Sequence, residues 1–252
     1  MPVGVFDSGV GGLTVYRELI RALPDTDFIY LGDTARVPYG ARSKEIIIQY
    51  ALELARYLTE NYHTDQLVAA CNTISSCALE AIEREFNVPT FGVIAPGAES
   101  AVELTKNNRI GVIGTLATIS SGAYKQAVAR LSGATAVFQA ACPLLAALVE
   151  EGILEGEIPQ LAIKMYLEPL IDKGIDTLIL GCTHYPLLAP LIREIYPHLS
   201  VTDSTKKLIP RIDAKVENGR RIIMVTDAGG GSTESLKTRL VGGIPLKKAA
   251  LS

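Results

Sequence analysis

Short apolar runs rich in Val, Ile, Leu and Phe recur along the chain, and longer stretches with helical spacing separate them. The runs predict strands near 3–6, 28–32, 66–70, 89–93, 109–113, 135–139, 177–181, 199–202 and 221–225. Between them, segments such as SKEIIIQYALELARYLTENY (43–62) repeat apolar residues three and four apart, as an amphipathic helix does. Strands alternating with helices predict the α/β class, with a parallel sheet covered on both faces.

The two halves of this pattern overlay. GVFDSG begins at Gly4 and GVIGTL at Gly111. DFIYLGD in the first half has its counterpart in TAVFQAA, and DQLVAACNT (65–73) has its counterpart in DTLILGCTH (176–184). An Asp stands six residues before the Cys in both, and the Gly-to-Cys intervals are 67 and 71 residues. Kept order and spacing imply a duplicated unit. The expectation is two similar parallel-sheet α/β domains related by pseudo-twofold symmetry, with the active site in the cleft between them. The first would cover 1–95 plus the tail 208–252, and the second 96–207.

Composition narrows the classes. The net charge is −3 and no Lys/Arg tract occurs, so neither nucleic acid nor a membrane surface is an expected partner. Apolar runs break well short of a membrane-spanning length. The opening MPVGVFDSG lacks a basic stretch before a long apolar run, so no signal peptide is expected. Cys71, Cys77, Cys142 and Cys182 form no C-x-x-C pair, which suits reduced thiols and a cytoplasmic setting.

Cys71 and Cys182 fall just past the ends of equivalent strands, where open α/β sheets bind ligands. A helix start beside each would lower its pKa from the usual value near ~8.5. Two thiols facing one cleft suit inversion of a carbon centre, which needs a base on one face and an acid on the other. Polar residues gather at the same strand ends: Asp7 and Ser8, then Asp33, Thr34, Arg36, Tyr39 and Gly40, then Asn72 and Thr73, and Thr183 and His184. These could hold a carboxylate without lysine. Cys77, inside a helical pattern, and Cys142, before a proline, read as structural. DSGVGG does not match the G-x-G-x-x-G spacing of a nucleotide loop, since Thr14 takes the third place. The three histidines and two strand-end thiols form no metal-ligand pattern.

FDSGVGGLTV, LGDTARVPYG, ACNT, GTLAT (114–118) and LGCTHYPLL, in this order over residues 4–188, together resemble glutamate racemase of the aspartate/glutamate racemase family. The resemblance implies a cofactor-independent isomerase that makes D-glutamate for peptidoglycan, with neither pyridoxal nor metal. It implies Cys71 and Cys182 as the proton donor and acceptor, with Asp7 and His184 assisting on opposite sides and Glu150 a further helper. Asp7, Ser8, Tyr39, Gly40, Asn72, Thr73, Thr183 and His184 would bind the substrate, with Thr115 and Thr118 in the same role. It also implies a homodimer. Val37 stands where many relatives carry another cysteine. An aspartate or hydantoin racemase, or a non-catalytic binder of acidic amino acids, would share much of this pattern.

Overall fold

The computed structural model describes residues 1–228 and 231–251. Gly229, Gly230 and Ser252 lie outside them. Every strand pair among the described residues is parallel. The strands are β1 (Val3–Asp7), β2 (Phe28–Gly32), β3 (Gln66–Ala69), β4 (Thr90–Gly92), β5 (Arg109–Gly114), β6 (Ala136–Ala141), β7 (Thr177–Gly181), β8 (Ser200–Thr202), β9 (Arg221–Val225) and β10 (Leu246–Lys248). They form two sheets. One runs β10-β9-β2-β1-β3-β4 and the other β6-β5-β7-β8.

The order β2-β1-β3-β4 in the first sheet is repeated as β6-β5-β7-β8 in the second. The duplication expected from spacing is therefore present in topology, and the two sheets are related by a pseudo-twofold. Burial follows position. The central strands β1, β2 and β7 are buried along their whole length, whereas β6, at a sheet edge, is half-buried throughout.

The helix Lys44–Tyr62 illustrates how the pattern becomes structure. Ser43 caps it by accepting from the Ile46 N–H, and His63 ends it with a left-handed φ of 52°. Its buried stripe is Ile47, Ala51, Leu54, Ala55 and Leu58, one face of a 3.6-residue period. No helix among the described residues is long and apolar enough to cross a membrane.

β9 pairs with β2 in register from Phe28–Arg221 to Gly32–Val225, so the tail strand extends the first sheet. β10 then adds to β9, a strand that the apolar pattern does not predict.

Candidate active site

The carboxyl ends of β1, β3, β5 and β7 meet where the two sheets face each other. Cys71 lies two residues past β3, as the N-cap of the helix Asn72–Cys77. Cys182 directly follows β7. No α-helix starts beside it, contrary to expectation. Pro186 sits in a tight 3-10 turn over Tyr185–Leu188, and the α-helix begins only at Ala189.

Both sulfur-bearing residues line one small cavity of about 40 Å³. The first half contributes Ser8, Tyr39, Gly40, Cys71, Asn72 and Thr73 to it. The second contributes Thr115, Glu150, Cys182, Thr183 and His184. Cys182, Thr183 and Asn72 also border a hollow of about 160 Å³ on the side of Glu18 and Asp203, but Cys71 does not. Cys77 opens onto a separate surface groove beside Lys44 and Arg130, and Cys142 is fully buried.

The surroundings of the two sulfurs differ. The Ser8 hydroxyl lies 3.5 Å from Cys71 Sγ. Burial pushes the Cys71 thiol up to about 12, and the Asp7 charge adds to this; the Ser8 hydroxyl and the Ile74 N–H pull the other way but are outweighed. The helix start does lower the Cys71 pKa through the Ile74 N–H, but desolvation outweighs it and reverses the expected direction. Cys182 Sγ instead lies 3.6 Å from His184 Nδ1. Glu150 Oε1 is 3.1 Å from His184 Nε2, at ion-pair distance but too oblique for a well-formed hydrogen bond. Burial disfavours a charged His184, yet Cys182 and Glu150 on its two sides hold its proton and raise its pKa well above the usual value.

Asp7 sits behind the cavity wall, fully buried. One oxygen accepts from the Gly9 N–H at 2.9 Å and the other from the Thr183 hydroxyl at 3.4 Å. Burial raises its pKa, while His184, these bonds and the Gly12 N–H oppose the rise. The Tyr39 hydroxyl points away from the cavity and donates to Asp33. Thr118 also lies outside the wall, buried 3.0 Å from the Thr115 hydroxyl; Thr115 in turn meets Thr73 across the seam at 2.9 Å.

One participant escaped sequence reasoning. Tyr124, fully buried in the second half, accepts from Asn72 Nδ2 of the first at 2.8 Å. Its helix, Ala123–Leu131, reads as an ordinary amphipathic element, and an aromatic on its buried face signals only core. Gly11 is also explained by the seam. A Cβ there would stand 2.5 Å from Thr183 Oγ1 and 2.6 Å from His184 Cε1, so only glycine lets the halves approach. Among the described residues, no three His, Cys, Asp or Glu side chains are grouped to hold a metal ion.

The Asp/Glu/Hydantoin racemase family model matches residues 3–212. A glutamate racemase of Sulfurihydrogenibium sp. (strain YO3AOP1) is 49% identical, the match covering all of this chain and 98% of that protein. The glutamate racemase isoform RacE1 of Bacillus anthracis superposes with a TM-score of 0.92 at 36% identity, over 99% of this chain and 97% of that one. The Francisella tularensis glutamate racemase, solved in complex with D-glutamate, superposes at 0.90 with 32% identity, over 100% and 98%. With a family model spanning most of its length and relatives of this similarity along all of it, the chain belongs to the glutamate racemases of the Asp/Glu/hydantoin racemase family.

Proposed function

We propose that this protein interconverts L- and D-glutamate by a two-base proton transfer and so supplies D-glutamate for peptidoglycan. The observation that carries the proposal is that Cys71 and Cys182, from duplicated strand ends, border a single cavity. One sulfur, as thiolate, takes the α-proton from one face of the substrate carbon. The other, as thiol, delivers a proton to the opposite face. The enzyme is left with the protonation of the two sulfurs exchanged, ready for the reverse reaction.

The environments support a resting assignment. Cys71, pushed up by burial and Asp7, rests as the acid. Cys182, 3.6 Å from His184 Nδ1, is given the complementary role of base. The family resemblance, rather than these environments, pairs Cys182 with L-glutamate and Cys71 with D-glutamate. Ser8, Asn72, Thr73, Thr115 and Thr183, with the backbone near Tyr39 and Gly40, are the groups proposed to bind the substrate's carboxylate and amino groups. Hydrogen bonds to that carboxylate spread the charge that develops on deprotonation, which is the main electrostatic demand of a reaction without a delocalising cofactor. Asp7 acts through the field it sets at Cys71. Glu150 acts through His184, and Thr118 steadies the threonines on either side of the seam.

The same reading divides the chain into a domain of residues 1–95 plus 208–252 and a second of 96–207. Pairing of β9 with β2 supports the return of the tail to the first. It also includes a homodimer and a cytoplasmic setting, where the precursors of the cell wall are made.

Incubation with L-glutamate, and separately L-aspartate, in heavy water tests the proposal. Glutamate should lose optical rotation and gain α-deuterium, and aspartate should do neither. Cys71→Ala and Cys182→Ala should each lose racemisation by at least about 10²-fold, the usual weight of a positioned acid or base. Near-normal racemisation in either variant would refute the two-base scheme.

A further inference from the structure

Residues 33–41 carry Tyr39 and Gly40 of the cavity wall, and several of their hydrogen bonds run to the tail. Asp33 is fully buried. One of its oxygens accepts from the Tyr39 hydroxyl and from Arg36 Nε. The other accepts from the Thr226 hydroxyl at 2.8 Å. The Thr226 oxygen accepts in turn from the Ala35 N–H at 2.9 Å. Beside it, the Thr34 hydroxyl donates to the Asp227 carbonyl at 2.5 Å and accepts from the Asp227 N–H at 2.8 Å. Arg36 also pairs with Glu53 and lies 4.0 Å over the Tyr50 ring.

The loop is therefore stitched to the two residues that follow β9. At its other end it touches the second half, because a Cβ on Gly40 would stand 2.6 Å from Thr115 Cβ. A buried carboxylate is a weak source of stability, since desolvation offsets most of its attraction. It does fix geometry, because its lone pairs direct Tyr39, Arg36 and Thr226 at once.

We propose that Asp33 and Thr226 are positioning residues for substrate binding: they anchor the loop so that its backbone at Tyr39 and Gly40 stands where the substrate's polar groups arrive. The proposal rests on the racemase reading above and extends the site to the tail strand, which supplies none of the cavity's lining. Tyr39 stays a donor in this arrangement, since burial and the adjacent Asp33 charge push its phenol well up.

The test is Thr226→Val, which keeps the shape and removes the hydroxyl. KM for glutamate should rise about tenfold, the equivalent of one lost hydrogen bond. Turnover at saturation should stay within about twofold, as expected when binding rather than chemistry is lost. Thr226→Ser should restore KM. Protection of the Ala35 amide against hydrogen exchange should be lost in the valine variant and kept in the serine one, which gives a reading independent of turnover. If Thr226→Val does not fold, Thr34→Val removes the adjacent pair of bonds from a less buried place and carries the same expectation. An unchanged KM in a folded variant overturns the proposal. So does a parallel fall of kcat and Tm with KM kept, or a serine variant no better than valine. A wild type that does not racemise glutamate overturns the reading beneath it, and this is distinguishable because the failure appears before any substitution.

Discussion

Tyr124→Phe removes one oxygen atom from the seam between the halves. In the native protein that oxygen accepts from Asn72 Nδ2 at 2.8 Å, and both residues are buried. Phenylalanine fills the same space, so packing is preserved and the lost term is the hydrogen bond. What remains is a buried amide donor without its partner, which costs about 1–3 kcal/mol. For a chain of this size, each kcal/mol lowers Tm by about 2–4 °C, so a fall between about 2 and 12 °C is expected. The free amide also loses its fixed orientation at the cavity wall, and a rise in KM of about tenfold should accompany it. Thermal melting followed by circular dichroism and initial rates of glutamate racemisation measure the two effects. A melting temperature within about 1 °C of wild type, below the range expected for an orphaned amide, together with an unchanged KM would refute the reasoning.

Gly11→Ala should destabilise by about 1–3 kcal/mol, because the new Cβ would overlap Thr183 and His184 and neither can retreat from a buried position; racemisation above a tenth of wild type would count against this picture of the seam, the bound being an estimate of about 1.4 kcal/mol. In Glu150→Gln, His184 loses one of the two groups that hold its proton. A raised folded-state pKa contributes stability that is complete below the unfolded value and is lost as pH rises through the folded one. The wild-type advantage in urea unfolding should therefore be full between about pH 5 and 6.5 and shrink at higher pH; an advantage that grew with pH would contradict it. Cys77→Ala should leave glutamate turnover unaltered, since that thiol opens onto the outer groove rather than the cavity; a large loss of turnover with normal KM would contradict this.

The duplicated plan was legible because buried parallel strands must be nearly continuous apolar runs, and those runs kept their spacing in both halves. β10 was not legible, since LKK carries two exposed lysines and gains its place only by pairing with β9. Most polar residues lining the cavity were legible because the parallel sheet delivers them from strand ends; Glu150, at the end of the helix Pro143–Glu150, was indicated only by the family resemblance. The direction of the Cys71 shift was misjudged because a helix start is visible in sequence while the depth of burial around it is not. Tyr124 and Thr226 escaped for a different reason. Their partners lie 52 and 193 residues away, and nothing in local spacing distinguishes such a tyrosine from core or such a threonine from a turn.

A hollow of about 40 Å³ has room for roughly three water molecules and none for an amino acid. An amino acid bound between the two sulfurs therefore needs the seam to part and admit it. Asn72 with Tyr124, Thr73 with Thr115, and Thr183 with Asp7 and Thr14 are bonds across that seam, and one apolar cluster also draws on both halves. If that parting sets the rate, an inert viscogen should slow turnover more than it weakens affinity, and turnover independent of viscosity would count against it.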